Sequence, residues 1–110
     1  MSVKKVSELS PLTESMFYIL ISLYKPSHGY GIMQKVENMS DGRLKLGPGT
    51  MYGALSNLQK NSLINPVENS DSGRKKMYVI SEFGRELVEY EVGRLREILG
   101  NAEKILNDEV

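Results

Sequence analysis

The sequence predicts a mainly α chain with one small β hairpin, an α+β class, on three observations. Apolar residues recur at helical spacing in three segments before residue 61 and again in a long segment after residue 81. Between them, "LINPVE" and "KKMYVI" read as β-type runs separated by the loop-forming Asn69-Ser70-Asp71-Ser72-Gly73. At 110 residues there is material for a single modest core, so these elements share one centre.

Each element has its own justification. Residues 1–9 lack periodicity and contain Lys4 and Lys5, which reads as a mobile arm. Ser10 and Pro11 suit an N-cap and first helical position. Leu12, Met16, Ile19, Leu20 and Leu23 then form one apolar stripe, widened by Phe17 and Ile21, so this first helix is central to the core. Lys25-Pro26-Ser27 ends it, because the residue before a proline avoids the helical region. A second helix runs from about His28 to Met39 on the stripe Ile32, Met33 and Val36, and Asp41-Gly42 stops it. "RLKL" alternates and reads as a minor strand joining the sheet. Gly47 caps a third helix with Pro48 as its first residue. Pro66 cannot donate to a ladder, which places its strand at an edge. Ser81 caps a last helix reaching about Asn107, with Glu82 at its positive end.

Composition narrows the function. There is no cysteine, which excludes disulfides and thiolate metal sites. The longest apolar stretch, Met16 to Tyr24, is far short of the roughly 20 residues needed to cross a bilayer. No signal-peptide pattern opens the chain, and a cytoplasmic address without membrane contact is the expectation. Net charge is zero, yet residues 1–80 carry ten Lys and Arg against six Asp and Glu, while residues 81–110 carry four against eight. A cationic body with an acidic tail can meet a polyanion despite its neutral total.

The third helix, "PGTMYGALSNLQK", contains two glycines that each cost about 1 kcal/mol relative to alanine. With Met51 at zero on an ideal wheel, Leu55, Leu58 and Ala54 fall within about 60° of it and form the buried side. Gly49, Gly53, Ser56 and Lys60 occupy the opposite side, flanked by Thr50, Tyr52 and Asn57. Such a face lets the backbone approach a DNA major groove closely and offers small polar groups to phosphates and base edges. The same residues also fit a packing role, with Gly53 against the second helix and Gly49 easing the turn after Pro48.

The hairpin favours DNA. Arg74, Lys75 and Lys76 stand together beside the loop that follows the candidate recognition helix. Helix, helix, recognition helix and basic two-stranded wing is the order of a winged helix-turn-helix. This divides the chain into a DNA-binding domain at 1–80 and a C-terminal helix at 81–110.

Three stretches carry a resemblance to a known family: His28-Gly29-Tyr30-Gly31, Pro48 to Leu55, and Gly73 to Tyr78 with Phe83-Gly84-Arg85. In order and spacing, over residues 12 to about 96, the chain resembles the PadR family of bacterial transcriptional regulators. The resemblance implies a dimeric repressor whose third helix and wing bind an inverted-repeat operator in double-stranded DNA and whose last helix dimerises. Tyr52, Thr50, Gly49 and Asn57 would contact DNA, and Arg74 to Lys76 would reach phosphate or minor groove. The residue before Pro48 is often serine in the family, whereas Gly47 caps less well by a few tenths of a kcal/mol.

The last helix supports dimerisation independently. Val88, Val92, Leu95, Leu99, Ala102 and Leu106 are spaced 4, 3, 4, 3, 4, a heptad seam broadened by Ile98 and Ile105. A helix of about 26 residues spans some 39 Å, more than so small a domain can cover. Folding back over the first helix is the alternative use of this stripe. A homodimer would set two recognition helices about 34 Å apart, one DNA turn.

No enzyme is expected. The single His28 reads as a capping or structural residue, and Glu82, Glu86, Glu89, Glu91, Glu97 and Glu103 as solvated faces without metal-ligand spacing. No catalytic residue, metal or cofactor follows. Six methionines fill core positions. A small aromatic or apolar effector near the dimer interface would have only Tyr18 and Tyr90 as aromatic candidates. The competing function is a winged-helix protein-interaction module without sequence-specific DNA binding, for which a basic wing is unnecessary.

Overall fold

A computed structural model of the protein describes residues 5–68 and 76–107. Their order is α1 (Val6–Leu9), α2 (Glu14–Ile21), β1 (Ser27–His28), α3 (Gly29–Met39), α4 (Pro48–Lys60), β2 (Ile64–Val67), β3 (Met77–Ile80) and α5 (Glu82–Leu106). Three helices and a small antiparallel sheet close on one core, and the long α5 adds its first turns to it. Ile19, Leu20 and Leu23 meet Ile32 and Val36 from α3, and Met51, Leu55 and Leu58 from α4. Leu63, Ile64, Tyr78 and Ile80 cover this cluster from the sheet side, and Leu87 and Val88 from α5.

Two caps behave as their residue types dictate. His28 Nδ1 accepts from the Gly31 amide at 3.4 Å, and Ser81 Oγ accepts from the Gly84 amide at 2.9 Å. Ser81 Oγ also donates to the Ser62 carbonyl at 2.7 Å, which ties the start of α5 to the end of α4. After α3 the chain reverses through Asp41 at φ 54° and Gly42 at φ 77°. The Gly42 amide bonds the Glu37 carbonyl at 2.8 Å, the 6→1 bond of a Schellman stop.

The sheet differs from expectation in one strand. Its order is β1-β3-β2, with Ser27 opposite Tyr78, His28 opposite Met77, and Ile64 opposite Ile80. Pro66 therefore lies in an edge strand, as its missing donor requires. The "RLKL" stretch is not a strand, because Ser27–His28 occupies the free edge of β3. Leu44 and Leu46 instead anchor an irregular linker on the core, while Arg43 clamps the Glu14 carboxylate with both Nη groups. Four alternating residues cannot distinguish a strand from a linker with two apolar anchors.

The N-terminal segment also departs from the sequence reading. Residues 6–9 are not a mobile arm but a helical turn whose Val6 and Leu9 pack on the core. The first long helix starts at Glu14 rather than Pro11, capped by Thr13 Oγ1 accepting from the Met16 amide at 3.1 Å. Ser10 does not cap it because its hydroxyl donates to Glu91 on α5 at 2.6 Å.

Candidate nucleic-acid interface

The core decides which way α4 faces. Met51, Leu55 and Leu58 are buried and Ala54 is half-buried, as helical spacing demands. Gly49, Thr50, Tyr52, Gly53, Ser56, Asn57 and Lys60 are all exposed. Among the described residues, a Cβ added at Gly49 or Gly53 would meet no atom within 4 Å, so neither glycine makes room for a described neighbouring element. The packing alternative for Gly53, against the second helix, is thereby excluded.

The close approach belongs to Gly29. A Cβ there would lie 2.7 Å from Met51 Cε and 2.9 Å from Tyr52 Oη. Gly29 therefore leaves room at the N-terminus of α3 for the tips of the Met51 and Tyr52 side chains of α4 and sets the Tyr52 hydroxyl beside it. Tyr30 follows at 62% exposure, its hydroxyl accepting from Gln34 Nε2 at 3.3 Å. Sequence reasoning passed over Tyr30 and Gln34. The available signal was that both lie outside the Ile32 and Val36 stripe and so face outward.

The N-terminus of α4 carries no side-chain cap, because Gly47 has none to give. Its first turn presents the amides of Gly49 and Thr50 at an exposed helix end with a positive dipole. Lys45 is exposed two residues before the cap, and Lys60 is exposed in the last turn. Across the sheet, Lys76 is exposed at the loop end of the hairpin, one residue before the Met77 that pairs with His28. Arg74 and Lys75 lie outside the described residues. This surface gathers small polar groups, two tyrosine hydroxyls, free helical amides and lysines, and it includes no carboxylate of α4.

A family model for the transcriptional regulator PadR-like family matches residues 17–90, which include α3, α4, the sheet and the first turns of α5. The chain belongs to the PadR-like family. That family comprises transcriptional regulators, not enzymes, in agreement with the expectation from sequence. The chain is 38% identical over 86 residues to a 37.1 kDa protein in transposon TN4556 of Streptomyces fradiae, covering 77% of this chain and 24% of that protein. It is 36% identical over 63 residues to the transcriptional regulator YqjI of Escherichia coli strain K12, covering 57% of this chain and 30% of that one. The chain thus spans less than a third of the length of these two curated relatives. A solved PadR family transcription regulator from Clostridium difficile R20291 superposes with a TM-score of 0.72 at 26% identity, over 86% of this chain and 99% of that one.

In this PadR-like chain the structure divides the expected dimer seam. Val88 is buried in the protomer's own core and Val92 packs half-buried against it, so the seam open to a second chain begins beyond Val88. Leu95, Leu99, Ala102 and Leu106 are exposed, together with Ile98 and Ile105. The physical reason is length. The body packs against the first eleven residues of α5, to Val92, and most of the rest of the helix runs past it.

Glu91 corrects the reading of the acidic residues as solvated faces. It is fully buried, and both its oxygens are engaged. Oε1 accepts from the Leu12 amide at 2.5 Å and Arg94 Nη2 at 3.3 Å, while Oε2 accepts from Ser10 Oγ at 2.6 Å and Arg94 Nε at 2.7 Å. Burial pushes its pKa up, but the bonds from Arg94, the Leu12 amide and Ser10 together hold it below the ordinary carboxylate value. The sequence held the signal: Glu91 sits four residues after Leu87 and four before Leu95, inside the apolar stripe. Of the aromatic effector candidates, Tyr18 lines a cavity of about 310 Å³ with Leu12, Phe17, Arg94 and Leu95, whereas Tyr90 is exposed and does not line it.

No helix among the described residues is long and apolar enough to cross a membrane. Among the described residues, no group of three or more His, Cys, Asp or Glu could hold a metal ion.

Proposed function

We propose that the chain is a cytoplasmic, sequence-specific DNA-binding regulator that acts as a homodimer on an inverted-repeat operator and represses transcription. The observation that carries the reading is the open outward face of α4. Gly49 and Gly53 weaken a helix without making room for any of the described residues, which points to compensation by something outside the chain. A major groove fits: the uncapped amides of the first turn suit phosphate, and Ser56 and Asn57 suit base edges. Residues 1–80 serve as the DNA-reading domain, with Arg74, Lys75 and Lys76 of the wing meeting phosphate or minor groove. Residues 81–110 serve as the dimerisation helix, with the seam from Val92 to Leu106 on its partner. A small aromatic or apolar effector has room in the cavity beside Tyr18.

Selection from a random double-stranded DNA pool tests this, followed by affinity for the recovered site at several salt concentrations. An inverted repeat with half-sites about one helical turn apart is the expected product. Weak binding without sequence preference, lost steeply with salt, would instead point to a winged-helix protein-interaction module.

A further inference from the structure

We infer that Glu91 is a positioning residue that fixes the direction in which α5 leaves the core, and thereby the half-site spacing that the dimer accepts. The inference rests on the dimeric DNA-binding reading above. Three observations place Glu91 at the joint.

It is the last fully buried residue of α5: Leu87, Val88 and Glu91 are inside, and from Leu95 onward most of the helix is exposed. It is also where the N-terminal segment crosses α5. Val6 and Leu9 pack on the core, and Ser10 Oγ and the Leu12 amide both bond the carboxylate. Thr13, which caps α2, follows immediately. One carboxylate therefore ties α5 to the start of the first long helix of the winged domain.

The kind of contact matters. An apolar side chain would fill the same space and tolerate small rotations, because hydrophobic burial is non-directional. Four hydrogen bonds shared by two oxygens hold a carboxylate to a narrow range of positions. A buried ion pair is often no more stabilising than an apolar replacement, so its presence at a joint points to geometry.

Lever length gives the consequence. From Val92 to Leu106 the helix extends about 22 Å at 1.5 Å per residue. A tilt of about 10° at Glu91 moves its tip by about 4 Å, more than the roughly 3.4 Å between successive base pairs. Two-fold symmetry applies the same tilt to both protomers. A loose joint would let one dimer accept operators whose half-sites differ by a base pair.

The test uses the full chain and a panel of operators built on the selected site, with the half-site spacing changed by one or two base pairs in either direction. Wild type is expected to bind its best spacing at least tenfold more tightly than either neighbour. Glu91→Gln and Ser10→Ala, each verified as a folded dimer by circular dichroism and sedimentation velocity, should compress that ratio to threefold or less. A merely structural role would weaken all spacings together and leave the ratio unchanged. A folded, dimeric Glu91→Gln with the wild-type spacing profile overturns the inference. Should Glu91→Gln fail to fold, Ser10→Ala decides, and a wild-type profile there overturns it equally. A wild-type protein that selects no operator, or stays monomeric, removes the dimeric DNA-binding reading itself, whereas a sharp wild-type profile shared by the variants removes only the role of Glu91.

Discussion

The outer face of α4 and the far half of α5 are both poor solvent surfaces, and they fail in opposite ways. On α4 the outward positions are too small: Gly49, Gly53 and Ser56 leave the backbone nearly bare. On α5 they are too large and too apolar, with Leu99 57% and Leu106 81% exposed. A bare helical backbone with amides, hydroxyls and a carboxamide suits a polar partner read at close range. A stripe of leucine and isoleucine at 3.5-residue spacing suits another helix. Neither helix needs its exposed face for the fold, since each contributes its other residues to the one core. The contrast fits the two partner chemistries proposed above, one per face, within 110 residues.

The comparison breaks most severely at the apolar end. Replacing Leu95 and Leu99 by Glu puts two charges into the seam, where burial in a dimer would leave them unpaired. Sedimentation should show dimer association weakened by more than 100-fold, and operator affinity should fall by a similar factor because two half-sites are no longer joined. The body should keep its stability, as both residues are exposed in the single chain. Operator affinity unchanged in a monomeric variant would detach α5 from DNA binding.

Next in size is Glu91, which separates the buried part of α5 from the exposed part. Glu91→Ala removes the acceptor for Ser10, the Leu12 amide and Arg94, and should cost about 3 kcal/mol, the lower end of the range for a broken buried pair because Arg94 is only half-buried. The pH dependence has a definite sign. Folding lowers the Glu91 pKa below its ordinary 4.5, so the stabilisation is complete above that value and is lost as pH falls through the folded pKa. Urea unfolding of wild type and Glu91→Ala should therefore differ most at neutral pH, and the gap should narrow as pH falls below 4.5 and through the folded pKa.

Most of the fold was legible because its signals are local. Stripes at 3.6 spacing located four helices, and His28, Gly47 and Ser81 marked three of their starts correctly. What escaped was long-range. Ser10 looked like a cap, but its hydroxyl reaches a carboxylate 81 residues away. The strand beside β3 turned out to be Ser27–His28, which two residues of sequence cannot announce. In the candidate site, the outward face of α4 was readable from wheel geometry, while the seam was overextended at Val88 because spacing alone does not reveal how far the body covers a helix. The buried role of Glu91 was readable only as a charge inside an apolar stripe.

A subtler test lies at Gly53, where stability and binding should move in opposite directions. Gly53→Ala meets no neighbour among the described residues, so the helix should gain up to about 1 kcal/mol, seen as a higher Tm. The added methyl projects into the space proposed for DNA, and operator affinity should drop about tenfold. Gly84→Ala provides the contrast, since its methyl would run into the Leu63 backbone carbonyl, which has no side-chain freedom to move aside, and lower stability instead. Gly53→Ala with both higher Tm and undiminished affinity would argue that nothing approaches this face closely.

The smallest expected effect concerns charge rather than shape. Lys76→Gln removes one cation at the loop end of the wing without touching a buried group. If it meets phosphate, affinity should fall only a few-fold, for all sequences alike, and the slope of log affinity against log salt should flatten by about 1. Asn57→Ala on α4 should behave differently, changing which half-site is preferred while leaving the salt slope nearly intact. Measuring both variants on a set of half-site sequences at three salt concentrations separates positioning from reading within one surface. A uniform loss for Asn57→Ala would move base recognition away from that residue, and an unaltered salt slope for Lys76→Gln would place Lys76 off the DNA path.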